Sequence, residues 1–134
     1  MSLLRNAILG GWRLSSFHSR DTATGEVRQP LGAHPRGLIL YTDDGWMSAQ
    51  LAPDPAGAEL GHYIAYGGRF HLDEDAAVVH HRVEMSTIPE LLESPQLRDV
   101  RVEGDRLVLA ADSISDGATT RSTLVWRRDP TREG

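Results

Sequence analysis

Residues 35–51 read PRGLILYTDDGWMSAQL, and this stretch decides the fold. Two segments with the composition of β-strands flank Asp43-Asp44-Gly45, and Asp and Gly tolerate the positive φ that a tight hairpin turn demands. The stretch therefore predicts a β-hairpin. Similar segments fill the rest of the chain, so we expect this hairpin to be one part of a closed antiparallel barrel. A barrel of this size can hold one small molecule in its interior.

Two short helices are predicted outside the strands. Ser2 is placed to cap a helix over residues 3–9, which ends at the following glycines. Thr87 and Glu90 have the spacing of a capping box, with a proline early in the helix, so one or two helical turns are expected over residues 89–93. A sheet would not hold both prolines of residues 53–57, which predicts a surface loop there.

Turn signals divide the remaining sequence into further strands. The predicted strands beyond the central hairpin are residues 12–18, 26–29, 62–71, 77–86, 97–103, 106–111 and 119–128, with turns at 21–25, 72–75 and 103–105. Short connections between successive strands favour an up-and-down arrangement. The sequence thus predicts an all-β fold: one antiparallel up-and-down β-barrel domain over residues 1–134, with eight or nine strands and one or two short helices.

The composition excludes several kinds of chemistry. The 134 residues include no cysteine, and all 14 basic residues are arginine. Thiol nucleophiles, thiolate metal sites and Schiff-base lysines are therefore excluded. The net charge of -5 argues against a nucleic-acid partner. The sequence also lacks the pattern of a signal peptide or membrane span, so a cytoplasmic location with no membrane partner is expected.

An ordered set of short motifs resembles a known family. The motifs are Gly11-Trp12-Arg13-Leu14-Ser15-Ser16, Pro35-x-Gly37-x-Ile39-x-Tyr41, Gly45-x-Met47-Ser48-x-Gln50, Tyr66-x-Gly68-x-Phe70, His81-x-Val83-Glu84, Gln96-x-Arg98 and Leu124-Val125-Trp126-x-Arg128. Together they resemble the bacterial lipocalin-like domain family, which implies a calycin-type, lipocalin-like β-barrel that binds small apolar molecules. Some barrels of this kind act as cofactor-independent isomerases or cyclases in natural-product pathways. The sequence departs from the family at Glu90-Leu91-Leu92-Glu93, where an aromatic residue is frequent.

The same resemblance gives a structural role to three residues, one at the start of the first predicted strand and two at the end of the last. Trp12, Trp126 and Arg128 resemble the barrel-closing cluster of lipocalins, in which the arginine lies across a tryptophan. Such a contact stabilises by about 0.5–2 kcal/mol, depending on burial.

Strand alternation predicts which side chains face the interior. The inward sets are His62, Ile64, Tyr66 and Phe70; Val79, His81, Val83 and Met85; Arg98, Val100 and Val102; and Ile39, Tyr41, Met47, Ala49 and Leu51. Apolar walls with a few polar groups are typical of ligand pockets. The ligand-binding residues predicted from this lumen are Tyr41, Met47, Tyr66, His81, Met85 and Arg98.

His81 is the first candidate for acid–base chemistry, because imidazole titrates near neutral pH. The alternative is a core histidine whose ring is bonded to a neighbouring tyrosine or to the backbone. His62 is a second candidate proton shuttle. No spacing of histidines supports a metal site, and no cofactor is predicted.

Arg98 also has two interpretations. Its guanidinium can anchor a carboxylate, enolate or phenolate of a ligand. Alternatively, it forms a structural ion pair with Glu84 or Glu93. In a catalytic barrel, Arg98 would hold developing negative charge while a histidine moves a proton.

The leading interpretation is a protein that binds a small, largely apolar metabolite inside the barrel. The alternative is a cofactor-independent isomerase, cyclase or dehydratase acting on a polyketide- or terpenoid-like intermediate, with His81, His62 and Arg98 as catalytic residues. A third interpretation is a filled barrel that serves as an interaction module and exposes Trp46 together with the edge near Gln29. Barrels of this size often dimerise through an outer face, so a homodimer is left open.

Overall fold

A computed structural model describes residues 3–53 and 62–128 of the chain. Within these ranges a short helix comes first, nine strands follow, and a 3₁₀ helix, Pro89–Leu92, lies between the sixth and seventh strands. The elements are α1 (Leu3–Ile8), β1 (Gly10–Asp21), β2 (Val27–Arg28), β3 (Arg36–Tyr41), β4 (Trp46–Ala52), β5 (Ile64–Asp73), β6 (Val78–Ser86), β7 (Gln96–Glu103), β8 (Arg106–Ser115) and β9 (Ala118–Arg127).

The strands close into a barrel. From β3 onward each strand pairs with the next in antiparallel orientation, and β1 pairs with both β3 and β9, so eight strands form a closed ring. The two-residue strand β2 pairs only with the far part of β1 and is an extra strand outside the ring. Closure removes the unpaired sheet edges that would otherwise be exposed. The predicted antiparallel barrel is confirmed.

The central hairpin forms as predicted between β3 and β4. Tyr41 pairs with Met47, and the turn is closed by a hydrogen bond of 2.8 Å from the Thr42 amide to the Trp46 carbonyl. Gly45 adopts a φ of +93°, the left-handed conformation that a glycine reaches at no steric cost. Neither aspartate of the turn has a positive φ. The residues predicted to face inward from this hairpin, namely Ile39, Tyr41, Met47, Ala49 and Leu51, are all buried.

Helix α1 covers one end of the barrel. The Trp12 indole Nε1 donates to the Ile8 carbonyl at 2.9 Å, and the Arg128 guanidinium lies 3.9 Å from the Trp12 ring centroid. Arg128 also donates to the Leu9 carbonyl at 2.6 Å, which satisfies a carbonyl at the end of the helix. With Trp126 fully buried beside them, these residues form the predicted barrel-closing cluster.

A β-bulge in the β5–β6 pair changes which side chains face inward. Gly68 pairs with Val83 and Gly67 pairs with Met85, so β6 carries one extra residue at this point. A Cβ on Gly68 would lie 2.1 Å from the Arg82 carbonyl oxygen, so only glycine fits there. Beyond the bulge, Met85 stands opposite the outward-facing Gly67 and is 77% exposed. The prediction that Met85 faces the interior is therefore wrong.

Several predicted element bounds differ from the structure. The β8–β9 hairpin extends beyond the predicted residue 111, because polar outward residues continue the hydrogen-bonded ladder without an apolar pattern. The predicted capping box does not form: the 3₁₀ helix begins after Ile88 with no side-chain cap, and Thr87 Oγ1 accepts a hydrogen bond of 3.0 Å from the Ala65 amide. The predicted Ser2 cap and most of the predicted loop at 53–57 lie outside the described residues.

Candidate functional site

The barrel interior is apolar with one polar cluster. Its wall is made by the buried residues Ile39, Met47, Ala49, Leu51, Phe70, Leu72, Val79, Val100, Leu107 and Leu109. His81 lies within it and is fully buried, with an exposed fraction of 0%. A polar group in such surroundings is costly unless it is hydrogen-bonded, so its partners define what the interior can do.

Tyr41 is the hydrogen-bond partner of His81. The Tyr41 hydroxyl lies 2.6 Å from His81 Nε2, although the two residues are 40 positions apart in the sequence. The tyrosine hydroxyl has no other acceptor among the described residues, so we assign it as the donor and Nε2 as the acceptor. His81 Nδ1 then carries the ring proton. This nitrogen is buried and has no hydrogen-bond partner in the part of the chain that the structure describes.

The environment keeps His81 neutral. Burial disfavours the imidazolium and lowers the pKa of His81 to about 3, and the nearby positive charge of Arg98 acts in the same direction. A histidine with this pKa carries no charge at neutral pH and takes up a proton poorly. In the neutral ring, Nε2 accepts from Tyr41 and the Nδ1–H is left as a donor.

Two tyrosines border the histidine. The Tyr66 ring centroid lies 5.9 Å from that of His81, and the Tyr41 ring packs against Phe70 with centroids 4.9 Å apart in an edge-to-face arrangement. Burial raises the pKa of both tyrosine hydroxyls, and the charge of Arg98 opposes that rise. Both phenols are therefore protonated and can donate hydrogen bonds.

Arg98 brings the positive charge into this cluster. In the β6–β7 register it stands opposite Val79, so His81, two residues along the same inward face, is its diagonal neighbour. Diagonal neighbours on a sheet are within reach of long side chains. Arg98 Nη1 donates to the Leu97 carbonyl at 2.9 Å, and no described carboxylate forms an ion pair with it. No ion pair or hydrogen bond joins Arg98 to Glu84 or Glu93, which are both exposed, so the predicted structural ion pair does not form.

The structure brings four of the predicted polar residues together, namely Tyr41, Tyr66, His81 and Arg98, with Met47 in the wall beside them. His62 does not join them. It lies before the start of β5 and is exposed, so its predicted inward orientation is wrong. The reason is that β5 begins two residues later than predicted, and the alternation of the strand does not extend to residue 62.

One further buried polar atom without a partner was not predicted from the sequence. The Trp126 indole Nε1 is buried and has no hydrogen-bond partner within the described residues. The sequence indicated a structural role for this tryptophan, and nothing in the local pattern shows whether its N–H finds a partner. An indole donor without a partner is unusual when buried, because the N–H is normally bonded.

A groove on the barrel wall marks where two strands separate. Pairing of β1 with β3 stops at the Arg13–Leu38 pair, and the first two residues of β3 have no partner in β1. The resulting groove of about 370 Å³ reaches the buried side chains of Leu14 and Leu51. Gly37 lies at this point, and a Cβ there would come within 2.8 Å of the Gln50 carbonyl. The pattern of the sequence did not predict this separation, which depends on how β1 turns toward β9.

Within residues 3–53 and 62–128, no three His, Asp or Glu side chains converge as a metal site would require. No helix in the same ranges is long and apolar enough to cross a membrane.

A closed eight-stranded antiparallel barrel, covered at one end by a helix and lined by apolar side chains around a few polar groups, is the architecture of a calycin-type small-molecule-binding barrel. Residues 9–129 match the model of the lipocalin-like domain family, and this chain belongs to that family. The resemblance to the lipocalin-like domain family expected from the sequence is confirmed.

Two individual proteins are similar to this chain. The 4'-hydroxy-3'-methoxypropiophenone carrier protein ppsC of Aspergillus oryzae is 38% identical over 79 residues, which is 53% of this chain and 71% of that protein. A solved structure of the siderocalin Ex-FABP, described as functioning through dual ligand specificities, covers 92% of this chain and 71% of its own, with a TM-score of 0.41 and 13% identity.

Proposed function

We propose that this protein binds and carries a small, largely apolar metabolite that has one polar end. The observation that supports this most directly is the cluster of Tyr41, Tyr66, His81 and Arg98 inside an otherwise apolar barrel. Arg98 has no described carboxylate partner, and His81 Nδ1 has no described hydrogen-bond partner. A buried donor without a partner is costly, and a ligand oxygen that accepts from His81 Nδ1 would remove that cost while being attracted by the half-buried Arg98.

The relative from Aspergillus oryzae supports a specific ligand class. Its name states that it carries 4'-hydroxy-3'-methoxypropiophenone, an aromatic ketone with a phenolic hydroxyl. Such a molecule has an apolar ring and short alkyl chain together with oxygen acceptors. In our proposal the ring of a ligand of this class packs on Met47, and its oxygens face Arg98, Tyr66 and His81.

The catalytic alternative has less support than carriage. An isomerase or cyclase of this design would need a group that exchanges protons near neutral pH. His81 has a pKa of about 3, and the exposed His62 lies away from the cluster. The expected cytoplasmic location and the homodimer stay predictions of the sequence.

The test is a binding measurement with 4'-hydroxy-3'-methoxypropiophenone as the probe. Trp12 and Trp126 report on the interior by fluorescence once the half-exposed Trp46 is replaced by Phe. We expect saturable one-to-one binding and an increase in melting temperature with ligand concentration. The same titration with Arg98→Met should show weaker binding.

Two substitutions at neighbouring positions on β4 distinguish binding inside the barrel from binding on its outer face. Ala49 is fully buried and faces inward, whereas its neighbour Ser48 faces outward. Ala49→Met fills interior space and should abolish binding, while Ser48→Met should leave it unchanged. Circular dichroism and melting curves confirm that each variant is folded. Absence of saturable binding to the folded wild type would refute the proposal, and so would binding that Ser48→Met removes and Ala49→Met does not.

A further inference from the structure

The polar cluster in the barrel holds a positive charge without a described negative partner. Tyr41, Tyr66 and His81 are uncharged at neutral pH, because burial raises the pKa of the two phenols and lowers the pKa of the imidazole. The remaining described core side chains that β1, β4, β8 and β9 contribute carry no charge. Arg98 is therefore the charged group that faces His81 and the two tyrosines from the strands around them.

The other charged groups near the interior lie at the helix-covered end and are bonded there. The Arg5 guanidinium lies 5.2 Å from the Phe70 ring centroid and is paired with Asp43 at 3.4 Å. Glu74 accepts a hydrogen bond of 3.1 Å from the Arg5 amide. Arg128 donates to carbonyls at the end of α1. These groups leave Arg98 as the described cation that is available to an interior anion.

We propose that the barrel binds a hydroxyaryl ketone as its phenolate anion, with the negatively charged oxygen held at Arg98. This inference rests on the proposed function and adds the charge state of the ligand. On binding at neutral pH, the phenol O–H bond breaks and the proton passes to the buffer. His81 does not receive the proton, because its environment keeps the ring neutral.

Three features of the site favour an anionic oxygen over a neutral one. The groups available to it are donors: the Arg98 guanidinium, the Tyr66 hydroxyl and the N–H assigned to His81. The half-buried guanidinium of Arg98 has no described counter-charge, so an anionic oxygen beside it gains an electrostatic attraction that a neutral oxygen does not. The charge of Arg98 also already opposes the rise in the pKa of Tyr41 and Tyr66, which are phenols at this place in the barrel.

The net charge of the protein opposes the binding of the phenolate over the neutral phenol. A formal charge of -5 repels anions, so the overall field would raise the pKa of a bound acid. A lowered pKa of the bound ligand must therefore arise locally, from the charge of Arg98 and from the hydrogen-bond donors around it. An arginine next to an acid typically lowers the pKa of that acid by about one to three pH units.

The experiment compares 4'-hydroxy-3'-methoxypropiophenone with its methyl ether, 3',4'-dimethoxypropiophenone, which cannot ionise. Phenolate formation shifts the absorption of the first probe to longer wavelength, so its protonation state is read directly from the spectrum. The bound probe is titrated with pH and compared with the free probe. We expect the pKa of the bound phenol to fall by at least one pH unit, which is a tenfold preference for the phenolate.

Variants assign that preference to Arg98. Arg98→Met should raise the pKa of the bound phenol to that of the free probe or above and weaken its binding at least tenfold. Binding of the methyl ether should change by less than threefold. Arg98→Lys retains the charge and should keep the pKa of the bound phenol lowered. Arg82→Met, at an exposed outward position on β6, is the matched control and should leave both probes unaffected.

The outcomes separate this inference from the proposed function. Both probes binding with equal affinity, with the phenol staying protonated in the barrel, would overturn the inference and leave carriage intact. Failure of both probes to bind would refute carriage itself. An equal effect of Arg82→Met and Arg98→Met would show a general charge effect and overturn the inference. The pH titration on the wild type decides the question even if an Arg98 variant does not fold.

Discussion

His81 should make the stability of this protein depend on pH between about 3 and 6.5. Its pKa is about 3 in the folded barrel and about 6.5, the ordinary value of a histidine, in the unfolded chain. In that range the unfolded chain binds more protons than the folded chain, so the free energy of unfolding rises with pH. The contribution of His81 is complete above pH 6.5 and is lost as the pH falls toward 3.

The size of this effect follows from the difference between the two pKa values. Each pH unit within the range is worth about 1.4 kcal/mol for one proton. Between pH 7 and pH 4 the wild type should therefore lose about 3 kcal/mol of stability through His81. That is a large part of the 5–15 kcal/mol typical of a folded domain.

Urea denaturation at a series of pH values measures the effect, with circular dichroism as the readout. His81→Gln removes the titrating group, so its stability should be lower overall but should fall about 3 kcal/mol less between pH 7 and pH 4. His80→Gln is the control, because His80 lies on the outer face with its ring 5.8 Å from that of His71. Equal pH slopes for the wild type and His81→Gln would refute the argument that the barrel holds His81 neutral.

Two further predictions concern the framework of the barrel. Gly68→Ala should destabilise the fold by about 3 kcal/mol or more, because the new Cβ would lie 2.1 Å from the Arg82 carbonyl oxygen. Gly67→Ala, whose Cβ would have its nearest contact at 3.2 Å, should cost much less. Thermal melts of the two variants measure this difference, and equal melting temperatures would contradict it. Arg128→Met should lower the free energy of unfolding by about 1–3 kcal/mol, because it removes the contact with the Trp12 ring and the hydrogen bonds to the end of α1. Urea unfolding measures this loss, and an unchanged midpoint would show that the helix is held without Arg128.

Local pattern was enough to predict most of the barrel. Alternation along a strand depends on the residues of that strand alone, so the inward orientation of Tyr41 and Met47 followed from the order of apolar residues in the central hairpin. The same reasoning placed Arg98 on the inward face with Val100. The turn at Gly45 followed from a residue type that accepts a left-handed backbone. Trp12 and Arg128 were recognised by their resemblance to the family.

The tertiary structure decided what those orientations mean for the site. The alternation of β6 predicted an inward Met85, but the bulge opposite Gly68 arises from the register with β5 and turns that side chain outward. The hydrogen bond between Tyr41 and His81 joins residues that no local pattern connects. The pattern of a strand determines which of its side chains share a face. Register and closure of the ring determine which faces meet, because they depend on hydrogen bonds and contacts between strands and not on the residues of one strand alone.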